Sequence, residues 1–415
     1  MMIERNLPNG VRLMAEQIPH VKTVALGLWF SCGSRHESAD IAGASHFLEH
    51  MLFKGTSTHT AQQIAELSDA LGGQLNAFTT KECTCYYTRV LSKNVKQSAD
   101  LLADMLLNSR FDALDIEAER RVIFEEIDMY EDAPDDLVSE QINQAVFGAN
   151  PVGHPILGNK KTLGTFDRDV LMAYRQAHYT AENLVIAMSG NFADDDIDHL
   201  SALFGQLPTG KKRVVETPTF TPSIVTTKKD IEQNHLVLLF PGLTRLCKDR
   251  YGGFLLTQIL GGGMSSRLFQ TVRETAGLCY SIYAFGIGYT DSGLFGVYTA
   301  TSPKTEKKAV NLIVAELEKM CENGPTAEEL DRVREQIKTN FLMSLESTAS
   351  RMNFLGKNML FRGEIPTVEQ VIARYDEVTV EQVGRLARQV INREQLAFSA
   401  VGNVQSREEY RQWIQ

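Results

Sequence analysis

No stretch of this 415-residue chain approaches the length of about eighteen consecutive apolar residues that a membrane-spanning helix needs. Nor is there a surplus of positive charge: 42 Lys and Arg stand against 52 Asp and Glu, for a formal net charge of −10. That excludes the basic footprint of a general nucleic-acid binder. Cysteine is sparse: Cys32, Cys83, Cys85, Cys247, Cys279 and Cys321 are scattered, with no C-x-x-C pair. Such spacing fits no disulfide framework and reads as thiols in a reducing compartment. The start, Met1-Met2-Ile3-Glu4-Arg5, lacks the charged opening and apolar run of a signal peptide. The expectation is a cytoplasmic protein with no membrane or nucleic-acid partner.

What is present is an ordinary globular composition, 43% hydrophobic and 23% charged, in a chain long enough for two cores. Asn9-Gly10 reads as a tight turn, and Val21 to Phe30 as a strand covered by neighbours. Gln74–Thr79 and Thr84–Leu91 read as two strands around Lys81-Glu82. Helices are predicted over 94–108, from Leu114 to the break at Asp132-Ala133-Pro134, and over 135–147 and 167–178. Residues 207–223 carry Pro208, Gly210, Pro218, Pro222 and the basic run Lys211-Lys212-Arg213, the composition of a linker with a solvated loop. The division is therefore a domain over 1–206, a linker over 207–223 and a domain over 224–415.

The two halves resemble each other. Thr180-Ala-Glu-Asn-Leu-Val-Ile-Ala-Met-Ser-Gly-Asn191 parallels Asn392-Arg-Glu-Gln-Leu-Ala-Phe-Ser-Ala-Val-Gly-Asn403, and Ser92 to Leu102 parallels Ser302 to Leu312, at offsets of about 210 residues. This predicts an α+β fold: two homologous domains, each a largely antiparallel sheet with helices packed on one face.

The chemistry concentrates in Ser45-His46-Phe47-Leu48-Glu49-His50-Met51. On a helix, positions 46, 49 and 50 share one face, so His46 and His50 can grip one Zn²⁺ from consecutive turns with Glu49 beside it. Ser45 is the candidate N-cap. An offset of about 210 sets these three positions against Leu256, Ile259 and Leu260, and Glu126 against Gln336, so the second copy reads as metal-free. A hydrolytic zinc site needs a third protein ligand. Spacing leaves Glu119, Glu125 and Glu126 open.

His46-Phe-Leu-Glu-His-Met-Leu-Phe-Lys-Gly-Thr56 and Glu119-Arg-Arg-Val-Ile-Phe-Glu-Glu126 resemble the signatures of the metallopeptidase family of pitrilysin, insulin-degrading enzyme and mitochondrial processing peptidase. Gly261-Gly-Gly-Met-Ser-Ser-Arg-Leu-Phe-Gln-Thr-Val-Arg-Glu274 and Gly277-Leu-Cys-Tyr-Ser-Ile-Tyr283 resemble its second-domain signature. The resemblance covers essentially the whole chain, and is closest to the short two-domain members that work as homodimers. It implies one Zn²⁺ per chain, held by His46, His50 and Glu126, with Glu119 orienting the ligands. Glu49 would pass a proton from water to the leaving amine, Tyr280 would stabilise the oxyanion and Arg273 would hold a substrate carbonyl. A peptide or unfolded polypeptide would pair as an added strand along Leu75, Asn76, Ala77 and Phe78, and Arg273 and Tyr280 of one protomer would complete its partner's site. The rival expectation is a non-catalytic partner or scaffold subunit of the same family.

Overall fold

The computed structural model describes residues 1–211 and 214–414, so Lys212 and Arg213 of the basic run, and Gln415, lie outside the described residues. The first of its two sheets contains β1 (Met2–Asn6), β2 (Arg12–Gln17), β3 (Thr23–Phe30), β4 (Gln74–Thr79), β5 (Thr84–Leu91) and β6 (Leu184–Gly190), in the order β1-β2-β6-β3-β5-β4. The second contains β7 (Ile224–Lys228), β8 (Asn234–Pro241), β9 (Cys279–Gly288), β10 (Gly293–Thr301) and β11 (Ala397–Gly402), in the order β7-β11-β8-β10-β9. Without β1, the first order matches the second strand for strand, so one topology is used twice. The pairs β2–β6 and β7–β11 are parallel and the others antiparallel. The fold is α+β, as expected.

Every residue of β6, Leu-Val-Ile-Ala-Met-Ser-Gly, is buried. A strand without polar alternation has to be covered on both faces. One face of the first sheet carries most of its helices, with Leu28 and Ile186 packed among Phe47, Leu102 and Ile123. The opposite face is covered by the helix Thr348–Arg362, whose Met352, Leu355 and Met359 pack on Met14, Trp29, Cys85 and Val185. Gly356 permits this approach, because a Cβ there would fall 2.3 Å from Trp29 Nε1. On the second sheet the helix Pro134–Phe147 takes the same role, with Val138, Ile142 and Val146 against Val237, Leu239 and Val401. The other face of that sheet meets Leu255, Leu256, Val310 and Val383.

Each compact unit thus includes a helix from the far half of the chain. The first comprises Met1–Ile127, His154–Val215 and Phe341–Pro366; the second comprises Asp128–Gly153, Glu216–Asn340 and Thr367–Gln415. The sequence carries no sign of this exchange: an amphipathic pattern reports that a helix is covered, not which sheet covers it. Among the described residues no helix is long and apolar enough to cross a membrane.

Burial corrects the register of the repeat. In the helix Ala44–Met51 the buried face includes Ala44, Phe47, Leu48 and Met51; in Arg250–Gly261 it includes Gly252, Leu255, Leu256 and Ile259. Matching these faces sets His46, Glu49 and His50 against Phe254, Thr257 and Gln258, not Leu256, Ile259 and Leu260. A uniform offset fails because the connection from β8 to its helix, 242–249, is shorter than the one from β3, 31–43. A second landmark agrees. Arg120 donates to the carbonyls of Leu163 and Phe166 and pairs with Glu117, while Arg334 donates to those of Tyr375 and Val378 and pairs with Asp331. Superposing these arginines sets Glu119 against Val333, and Glu126 against Asn340 rather than Gln336.

Candidate metal centre

The helix Ala44–Met51 stands on its apolar side, with Phe47, Leu48 and Met51 in the core, leaving His46, Glu49 and His50 half-buried on the other face. Its N-terminus is held differently from expectation. Gly43, at φ 98, is the N-cap, and Ser45 lies inside the first turn. The unpaired N–H groups there are met by Glu37, which accepts from Gly43 at 2.6 Å and from Ser45 at 2.7 Å. Burial pushes the Glu37 carboxyl up to about 7, against those donors, the Ser45 hydroxyl and the charge of Lys81. The Ser45 hydroxyl meets the Tyr174 hydroxyl at 2.7 Å, in the core.

The third component comes from the helix Ala113–Asp132. Its Ile116, Ile123 and Ile127 are buried, and Glu119 and Glu126, two turns apart, share a face. Glu126 Oε2 lies 3.8 Å from His46 Nε2 and 3.7 Å from His50 Nε2. One ligand atom from each of the three residues falls within 4.8 Å of the others. Tetrahedral zinc with bonds of about 2.1 Å requires ligand atoms roughly 3.4 Å apart, so small inward movements complete the cradle. Glu125 is exposed and outside this cluster. Geometry therefore separates three carboxylates that spacing left equivalent.

The surroundings suit a metal. His50 Nδ1 is 3.0 Å from Glu119 Oε2, while Glu119 Oε1 takes Lys54 Nζ at 2.6 Å. A carboxylate on the far nitrogen fixes the ring and its tautomer, leaving Nε2 for the ion. Burial, aided by the charge of His50, lowers the His46 pKa to about 3, so the ring is neutral as a ligand must be. For His50, burial pulls the pKa down, but the Glu119 hydrogen bond and the charges of Glu126, Glu119 and Glu49 outweigh it and the net shift is upward. His46 Nδ1 is buried and has no hydrogen-bond partner among the described residues. Two imidazole nitrogens and one carboxylate oxygen form a donor set that fits zinc.

Glu49 receives a hydrogen bond from the Thr79 hydroxyl at 2.5 Å. Burial raises its pKa, and the charge of Glu126 adds to this, while Thr79 and His50 oppose. Thr79 ends β4, an edge strand of its sheet. Alternation along β4 places Leu75 and Ala77 toward the metal helix with Thr79, and Asn76 and Phe78 on the opposite face. There Phe78 packs edge-on against Trp29 at 5.5 Å. Asn76 Oδ1 accepts from the Ala77 N–H at 2.8 Å.

Arg273 and Tyr280 belong to the second unit. Arg273 lies on a π-helical turn, Phe269–Thr275, donates to the Tyr280 carbonyl at 2.6 Å and stacks over the Phe269 and Tyr280 rings at 4.6 Å each. Tyr280 is the second residue of β9, an edge strand of the second sheet, and is 77% exposed. Lys54, Thr79 and Glu37 escaped the sequence reading. Lys54 sits inside the quoted motif and Thr79 ends a predicted strand, so both were within reach; nothing local marks Glu37 as buried.

Residues 12–160 match the family described as Insulinase (Peptidase family M16), and residues 165–337 match the Peptidase M16 inactive domain. A Bacillus subtilis (strain 168) protein named "Uncharacterized zinc protease YmxG" is 44% identical over 391 residues, covering 94% of this chain and 96% of its own. A Mycobacterium tuberculosis (strain H37Rv) protein named "Uncharacterized zinc protease Rv2782c" is 37% identical over 394 residues, covering 93% and 90%. The crystal structure of a peptidase M16 inactive domain from Pseudomonas fluorescens shares the fold at a TM-score of 0.90 and 23% identity, covering 98% of this chain and 99% of that one.

Proposed function

We propose, starting from the fact that this chain belongs to the insulinase family of peptidases, M16, that it is a zinc-dependent endopeptidase for short or unfolded polypeptides. The observation that carries this is the convergence of one ligand atom each from His46, His50 and Glu126 within 4.8 Å of one another, beside the helix face that bears Glu49. Zinc held there supplies Lewis acidity, which makes water nucleophilic at neutral pH and polarises a carbonyl. Glu49 takes the proton from the attacking water and returns it to the leaving amine. Glu119 holds His50, and Lys54 holds Glu119.

The substrate adds as an extended strand to the open side of β4, where main-chain pairing selects unfolded segments. Leu75 and Ala77 share the β4 face that meets the metal helix, which supports that placement. The exposed phenol of Tyr280 donates to the oxyanion and Arg273 holds a substrate carbonyl. Two protomers enclose a chamber, each supplying this pair to the other's zinc, one ion per chain. The enzyme works in the cytoplasm, a reading supported by the lack of any cysteine bridge among the described residues.

Digestion of a peptide library with and without chelator, read by mass spectrometry, tests the activity. Cleavage that chelator abolishes and zinc restores is expected, and its absence returns the chain to the scaffold reading. Mixing Glu49→Gln with Tyr280→Phe protomers tests the shared site: recovery of activity by the mixture is expected, and an inactive mixture rejects completion in trans.

A further inference from the structure

We propose that Thr79 is a positioning residue, tying the orientation of Glu49 to the strand along which the substrate lies. Its hydroxyl reaches Glu49 Oε2 at 2.5 Å and also lies 3.3 Å from the Thr84 hydroxyl. The Thr84 hydroxyl gives its own hydrogen to the Cys32 carbonyl at 3.0 Å. A hydroxyl has one hydrogen to donate; with the Thr84 hydrogen on the Cys32 carbonyl, the shorter contact assigns the Thr79 hydrogen to Glu49, and the two hydroxyls at 3.3 Å meet as a packing contact. The chain of contacts is therefore directed: Glu49 accepts, Thr79 donates, and Thr84 is anchored to the backbone behind it.

This anchor is stiff. Thr84 is fully buried, and Thr79 is paired with it across the β4–β5 ladder. A β-branched side chain has few χ1 choices. A glutamate, in contrast, has three rotatable bonds between backbone and carboxylate. Holding Oε2 leaves Oε1 as the oxygen to receive a proton and stops the carboxylate turning away. The anchor also sits at the end of β4, on the strand face shared by Leu75 and Ala77. A peptide that pairs with β4 is thereby registered against the same backbone segment that aims the base.

The inference rests on the peptidase reading, and one experiment separates the two. Wild type, Thr79→Val, Thr79→Ala and Thr79→Ser are compared for kcat, KM and bound zinc on one extended peptide, with thermal melting to confirm folding. Expected is a loss of kcat of about 10- to 100-fold in the valine and alanine variants, with zinc content unchanged and KM held within about two-fold. Serine, which keeps the hydroxyl, restores kcat to within about three-fold of wild type. Two non-hydroxyl variants are included so that a misfolded one does not decide the matter. Unchanged kcat in the folded variants, failure of serine to rescue, or a loss carried by KM or by zinc overturns the role. A wild type that hydrolyses nothing overturns the peptidase reading and this role with it; an active wild type with an unaffected Thr79→Val overturns the role alone.

Discussion

The two copies of the repeat solve the same packing problem with different outer faces. Phe47, Leu48 and Met51 in one unit do the work of Leu255, Leu256 and Ile259 in the other, each set closing a sheet from the same side. On the outer face, His46, Glu49 and His50 stand where the second unit has Phe254, Thr257 and Gln258. The long helix behind follows suit, with Glu119 and Glu126 where the second unit has Val333 and Asn340. Arg120 and Arg334 perform one structural task in both. The fold therefore requires the inner face and the arginine. It does not require the three histidine and glutamate positions or the two glutamates behind them, whose presence together calls for a chemical reason.

That contrast can be broken most sharply by transplanting residues from the second unit into the first. His50→Gln, matching Gln258, should remove stoichiometric zinc and lower hydrolysis by on the order of 10³-fold or more, while the melting temperature in chelator stays close to that of wild type. Retained zinc by metal analysis would break the comparison. Glu49→Gln should keep zinc and lose about 10²- to 10⁴-fold in kcat, separating metal binding from proton transfer. Glu119→Val, matching Val333, should weaken zinc affinity by about 10- to 100-fold in a competition titration with a chelating dye, because His50 loses the partner that sets its tautomer.

A smaller effect concerns the helix itself. Glu37→Ala leaves the N–H groups of Gly43 and Ser45 without their acceptor and should cost about 1–3 kcal/mol in denaturant melts. The pH dependence has a definite sign. The Glu37 carboxyl, raised by burial from 4.5 to about 7, binds its proton more tightly when folded. Its contribution is thus fully present below pH 4.5 and is lost as pH rises through 7, by on the order of 3 kcal/mol. Glu37→Gln should flatten that slope, and a slope identical to wild type would contradict the assignment. The smallest expected difference is a control: Arg120→Ala and Arg334→Ala should destabilise their own units by similar amounts, about 1–3 kcal/mol each, since both arginines cap the same kind of loop.

Strand positions were largely legible. Gln74–Thr79 and Thr84–Leu91 stand where the period-two pattern puts them, and Pro134 ends the preceding helix as a residue without an N–H should. The pairing of His46, Glu49 and His50 was legible too, since helical spacing alone puts them on one face. Glu126 was not separable from Glu125 by spacing, because adjacent residues on a helix point about 100° apart and the direction of the partner helix is needed to choose. The uniform offset misplaced the second unit's counterparts for a similar reason, since loop lengths differ between copies and only burial reveals the phase.

Local pattern by itself determined the helix bearing His46, Glu49 and His50, the repeat, the sheet-forming segments and the kind of ligands on offer, since periodicity and residue chemistry are written over a few consecutive positions. Tertiary structure alone decided which carboxylate meets the imidazoles, that the Thr79 hydroxyl reaches Glu49, that Glu37 closes the helix start, and that Thr348–Arg362 and Pro134–Phe147 each cover a sheet from the far half of the chain. Those outcomes depend on distances between segments remote in sequence. A side chain carries its chemistry wherever it stands, but its partner is chosen by packing.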